Sequence, residues 1–243
     1  MKTNLLVLGL ALTLTADTVA QTTCDDWVSQ GRAKLAAHDL TNANLCFSNA
    51  VLKCPDHQPA NVFYAITRLL VLPSGSPIDS FLTRLGLSPT NRSPYDFWTA
   101  TIATNANGYW QVPADMNAEE ATALARTNIL PQITAAVSNL AKVSNTNFLL
   151  SLIRSDTAVA DVQLEYGDIL MLQALLRASE YAEYTICSYN WDVQLAAVEA
   201  LMTNETFGVE WLLADYPQLL TFATTNDLAA ARRAFTNAVA LYM

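Results

Sequence analysis

The sequence predicts a mainly α-helical protein with one small β-hairpin. Two observations carry this. Apolar residues recur at helical spacing through most of the 243 residues, and hydrophobic residues make up 52% of them. Only 7 glycines are present, too few for a Gly-rich nucleotide fold or for a β-sandwich turned by glycines. The charged fraction, 14%, is well below the usual ~25%, and the apolar content excludes intrinsic disorder. The balance of 13 basic against 22 acidic residues, net −9, argues against a nucleic-acid or anionic-membrane surface.

Residues 1–20 read as a secretory signal: Lys2 is a short positive region, Leu5 to Leu14 an apolar run, and Thr18-Val19-Ala20 a small-residue cleavage site. Asp17 interrupts the run before it reaches the ~20 residues of a membrane span, and no later segment is long and apolar enough. The expectation is export to the periplasm or beyond after cleavage near Ala20, with 21–243 forming a single α-helical domain and no membrane span.

From Trp27 the apolar spacing is helical. A helix over 25–37 carries Asp25 and Asp26 in its first turn, where they favour the helix dipole. A break at His38-Asp39 leads to a second helix, 42–53, capped by Thr41 and ended before Pro55, and Gly31 and Ala43 mark a close helix–helix approach. Trp27, Gly31, Ala43, Phe47, Ala50 and Pro55 fall at six of eight key positions of a tetratricopeptide repeat, which residues 24–57 therefore resemble; Gln30 and Lys34 stand where the family prefers Leu and Tyr. The resemblance implies a helix–turn–helix that serves protein–protein contacts. A third helix, 59–72, continues the style from Pro59, and beyond Pro73 the spacing is lost. A regular solenoid needs three or more repeats, so an irregular α-helical array is expected instead.

The hairpin places Cys24, before its first helix, beside Cys54, after its second, and export permits a bridge between them. Free thiols and a Cys24–Cys46 pair remain the alternatives. Cys46 and Cys187 lie inside helices in apolar surroundings and read as buried thiols.

A short helix over 77–85 stops at Gly86. Residues 87–116 then form a long loop broken by Pro89, Asn91, Pro94, Asn107-Gly108 and Pro113. Long loops in compact domains are often functional, and this one holds Tyr95, Phe97, Trp98, Tyr109 and Trp110. Tyr95, Trp98, Tyr109 and Trp110 are the binding candidates, since Trp and Tyr bury much area with few rotamers; the plainer reading is that Trp98 and Trp110 fill the core. Asn117 and Glu120 form a capping box for a helix to about Val143, split or kinked at Pro131. Runs at 147–153 and 158–164, joined at Ser155-Asp156-Thr157, suggest the β-hairpin. Helices over 166–189, 191–203 and 208–216 follow, and Thr225-Asn226 caps a last one from Asp227. From Tyr166-Gly167-Asp168 to Leu220-Thr221-Phe222 and on to Asp227-Leu228, the chain resembles the helical N-terminal region of large exported bacterial proteins. That resemblance implies a non-catalytic module placed ahead of further domains and supplies no site residues.

His38 and His57 are the only imidazoles, set at opposite ends of the hairpin, roughly 20 Å apart for thirteen helical residues, so they cannot share a metal or a triad. Asn105, Asn107 and Gly108 resemble part of a calcium loop but lack its aspartates and closing Glu. No Walker loop, nucleophile elbow or dinucleotide fingerprint is present, so no cofactor and no catalytic residue is expected. The carboxylate pairs Glu165/Asp168 and Glu180/Glu183 are the remaining enzymatic material, and both read as helix-face or first-turn acids in solvent. Asn204-Glu205-Thr206 fits a glycosylation sequon that a bacterial protein leaves bare. The reading is an exported non-catalytic interaction or scaffolding module for a protein or envelope partner, its oligomeric state open. The alternative is a carbohydrate-binding or carbohydrate-cleaving protein that uses the aromatics of 95–110 and a carboxylate pair.

Overall fold

The computed structural model describes residues 23–87, 94–95, 104, 108, 112–157, 160–202 and 209–242. The proposed signal segment lies outside them. So do Trp98, Tyr109, Trp110, Asn105, Asn107 and the sequon at Asn204.

The described chain is mainly helical with one small antiparallel sheet. Helix α1 (Cys24–Ala36) opens on a capping box in which Thr23 and Asp26 satisfy each other's backbone N–H. It ends at His38, whose φ of +56° turns the chain back. Helix α2 (Leu40–Lys53) therefore starts earlier than the spacing predicts: Asp39, not Thr41, is the cap, accepting from the Asn42 N–H at 3.3 Å. Helix α3 (Gln58–Leu70) has Pro59 in its first turn and His57 as its cap, the imidazole Nδ1 accepting from the Ala60 N–H at 3.2 Å. Cys24 and Cys54 are disulfide-bonded, with Cα atoms 6.3 Å apart. Cys46 and Cys187 are buried free thiols, each pushed up in pKa by burial.

Helix α4 (Ile78–Arg84) stops at Gly86, whose φ of +81° suits glycine. Helix α5 (Ala118–Leu124) carries the expected Asn117–Glu120 capping box. One π-type turn, 125–129, then joins it to α6 (Leu130–Leu140), so the split falls just before Pro131. Strands β1 (Leu149–Leu152) and β2 (Val162–Glu165) pair antiparallel, Leu149 opposite Glu165 and Leu152 opposite Val162. They are shorter than the sequence suggests, and the residues between them include one helical turn, α7 (Arg154–Thr157), rather than a simple bend. Helix α8 (Tyr166–Cys187) starts directly from β2.

Helix α9 (Leu195–Met202) begins later than expected, because Gln194 is first drawn into a β-bridge with Asn117. Helix α10 (Val209–Asp215) and helix α11 (Thr225–Tyr242) complete the order. The α11 start is offset from the expected one: Thr224 Oγ1 accepts from the Asn226 N–H at 3.2 Å, ahead of the Thr225-Asn226 pair.

Helix α1 packs on α2, α2 on α3, α3 on α6, α6 on α8 and α8 on α11. The main core runs through Phe47, Ala43, Ala50, Ala60, Val62, Phe63, Leu140 and Ile169, and a smaller one gathers Val193, Leu212 and Leu219. Phe47 and Phe63 stack at 4.7 Å. Phe47 also sits where Gly31 leaves room: a Cβ on Gly31 would stand 2.5 Å from the ring. The close approach foreseen at Gly31 is present.

Candidate functional site

Helix α3 is the spine around which both openings of interest lie. Its residues Phe63, Ile66, Thr67 and Leu70 follow at i, i+3, i+4 and i+7, so they share one face, and that face walls a cavity of about 470 Å³. The other walls come from Leu35 at the end of α1, Leu152 of β1, Asp156 and Thr157 of α7, and Pro94 and Tyr95. The volume falls in the range of small-ligand and anchor pockets, about 300–1,000 Å³.

The polar groups around this cavity are engaged with one another. Arg32 binds Asp156 through Nη2 at 2.7 Å and Nε at 3.3 Å, and Nη2 also donates to the Ser151 carbonyl at 3.2 Å. The Asp156 carboxylate, 2% exposed, further accepts from the Ile153 N–H at 2.9 Å. The Arg32 guanidinium lies 5.7 Å from the Phe63 ring centroid. The Thr157 hydroxyl donates to the Ala160 carbonyl at 2.7 Å, and the Thr67 hydroxyl lies 2.8 Å from the Phe63 carbonyl. What remains for a ligand is aliphatic and aromatic surface. Such walls bind by burial rather than by proton transfer, at about 1.5–3 kcal/mol for one Leu- or Phe-sized group.

Tyr95 is the candidate binding residue that the described structure contains. Its ring stacks on His38, centroids 4.1 Å apart and planes 6° from parallel, and its hydroxyl reaches the Leu35 carbonyl at 3.5 Å. Burial pushes its phenol up in pKa. The stack takes one face of the Tyr95 ring, and the residue also lines the cavity. His38 is thus a support for Tyr95, a role its place at the helix end did not announce.

The carboxylates are arranged differently from expectation. Glu180 is not a solvated helix-face acid: it is 2% exposed, ion-paired to Arg177 at 2.7 Å and bonded by the Thr134 hydroxyl at 2.6 Å. The reason is tertiary, since α6 supplies Thr134 directly over that turn of α8. Glu183 is half-buried, and desolvation holds its carboxyl above the usual range. Asp168 caps α8 by accepting from the Glu165 N–H at 2.8 Å. His57 is committed to its cap and to Asp25, with Nε2 2.9 Å from the carboxylate. Among the described residues no group of three His, Cys, Asp or Glu side chains is placed to hold a metal ion.

Sequence reasoning missed the cavity and the Arg32–Asp156 pair that closes it. Neither leaves a local signal, because the partners are 124 positions apart. Compared with protein-family models, curated proteins and solved structures, the chain matches none.

Proposed function

We propose that the protein is an exported, non-catalytic interaction module that holds a protein or envelope partner by an apolar anchor. The anchor seats between α1, α3 and the β-hairpin, beside Tyr95. The observation that carries this reading is the cavity of about 470 Å³ whose polar neighbours are satisfied internally and whose free surface is apolar. A partner's Leu or Phe side chain suits such walls, and aromatic or aliphatic anchors in pockets dominate interface energetics. The tetratricopeptide-like reading of 24–57 supports the same role: Gly31, Ala43, Phe47 and Ala50 are buried where α1 and α2 meet. The Cys24–Cys54 bridge is compatible with an oxidising compartment. Among the described residues no helix is long and apolar enough to cross a membrane.

The test compares the protein with its Leu70→Trp variant, since Leu70 is an exposed residue of the cavity wall and a larger ring there fills the space. Both are immobilised and exposed to an envelope extract and a polysaccharide panel. Retained proteins are identified by mass spectrometry, and released sugar by a reducing-end assay. A protein held by the wild type and lost with Leu70→Trp, at unchanged thermal stability, supports the proposal. Equal retention by both refutes the cavity as the contact. Polysaccharide retention with new reducing ends overturns the proposal in favour of the carbohydrate reading. Trp98→Ala and Trp110→Ala, in the same assay, spare folding and weaken retention if those aromatics join Tyr95 in the contact.

A further inference from the structure

We propose that Arg68, on the opposite side of α3 from the Tyr95 cavity, anchors a second site, for a small organic monocarboxylate. The inference is independent of the interaction reading.

Arg68 and Tyr64, one turn apart, wall an opening of about 660 Å³ between α3, α6 and α8. The Arg68 guanidinium lies 4.3 Å from the Tyr64 ring centroid. Its Nη1 donates to Asn139 Oδ1 at 3.0 Å. Asn139 in turn donates to Asn61 Oδ1 at 2.8 Å, and the fully buried Asn61 donates to the carbonyls of Pro55, at 2.8 Å, and His57, at 3.1 Å. This chain of amides holds Arg68 in place from behind.

Among the described residues the rest of the guanidinium has no hydrogen-bond partner: Nε is buried, Nη2 bonds none of them, and no described carboxylate lies within ion-pair distance. Nε is closed off from solvent, so Nη2 is the donor that meets a ligand, and a guanidinium N–H bonds a carboxylate oxygen strongly because both groups are charged.

The other features set the ligand class. Among the described residues no acid lines the opening. Arg126 lines it too, but its charge is met by Asp227 at 2.7 Å and its Nη2 donates to the Cys187 carbonyl at 2.6 Å. One uncompensated positive charge therefore remains, which suits a monoanion better than a phosphate dianion. Tyr64, Tyr184, Leu130 and Pro131 supply flat and aliphatic walls for the ligand body.

The test follows the arginine Nε–H signals of the ¹⁵N-labelled protein by NMR, with the Arg68 signal assigned by its loss in Arg68→Gln. The probes are benzoate, its neutral analogue benzamide, inorganic phosphate, and chloride at matched ionic strength. The expected result is a saturable shift of the Arg68 signal by benzoate, with a dissociation constant of about 1 mM or tighter, and binding of benzamide about tenfold weaker or less. Ala135→Trp leaves Arg68 in place and fills the opening, so it weakens benzoate binding by about tenfold or more even if Arg68→Gln does not fold. A shift that only tracks chloride, benzamide binding as tightly as benzoate, or phosphate binding more tightly than benzoate each overturns the proposal.

Discussion

Replacing Gly31 with alanine sets two effects of opposite sign against each other, and the structure decides between them. In the middle of a helix the change gains about 1 kcal/mol from backbone entropy. Against it, the new methyl would stand 2.5, 2.7 and 2.8 Å from three atoms of the Phe47 ring. Ordinary carbon–carbon contacts are about 3.5–4.0 Å, so the ring must retreat by about 1 Å or more. It has nowhere to go: Phe47 is fully buried and stacked on Phe63. Overpacking of this kind costs about 1–3 kcal/mol, and a rigid, two-sided contact places it at the upper end. The net expectation is a loss of about 2 kcal/mol, or about 4–8 °C in Tm for a chain of this size. Urea and thermal unfolding of Gly31→Ala, Phe47→Leu and the double variant read it directly. The double variant is expected to be more stable than the sum of the singles implies, because the smaller Leu side chain relieves the contact. An alanine variant more stable than the parent would falsify the packing argument and leave helix propensity as the stronger term.

Two further outcomes follow from the same structure. Cys24→Ser with Cys54→Ser, or reduction of the wild type, is expected to lose about 3–4 kcal/mol, the loop-closure value for a separation of 30 residues; a midpoint insensitive to reductant contradicts the bridge. Glu183 is raised by burial above its ordinary 4.5. The folded state then binds more protons than the unfolded one between those two values, so stability is full below the ordinary value and falls as pH rises through that window. Glu183→Gln is expected to flatten that part of the stability–pH profile and to raise stability at neutral pH. An unchanged profile means that the carboxylate is effectively solvated.

The parts of the fold legible in the sequence are those written locally. The Asn117–Glu120 box, Gly86 as a stop, Pro131 as a break and the Gly31 approach each need only neighbours along the chain. Choosing Asp39 over Thr41 as the α2 cap was harder, since both residues cap helices well and the tight turn at His38 decides between them. The His57 cap escaped notice because imidazole is an unusual acceptor at that position. Glu180 illustrates a different limit. Its spacing with Glu183 describes one face of α8, but α6 covers part of that face, and Thr134 and Arg177 turn an apparent surface acid into a buried one. The candidate sites are less legible still. Tyr95 stood out by its residue type, whereas the cavity beside it is assembled from α1, α3, β1, α7 and Tyr95 itself, and Arg68 is notable only for partners it lacks.

The Arg32–Asp156 pair also bears on the order in which the molecule can be finished. It joins positions 124 apart, whereas the disulfide closes over 30. Local contacts close sooner than distant ones, and a chain made from its N-terminus presents α1, α2 and α3 long before α7 exists. The Phe63 face is therefore laid down early as an open floor, and Leu152, Asp156 and Thr157 arrive late as its roof. Both walls of the cavity exist together only once α7 has packed, so its shape depends on the Arg32–Asp156 closure.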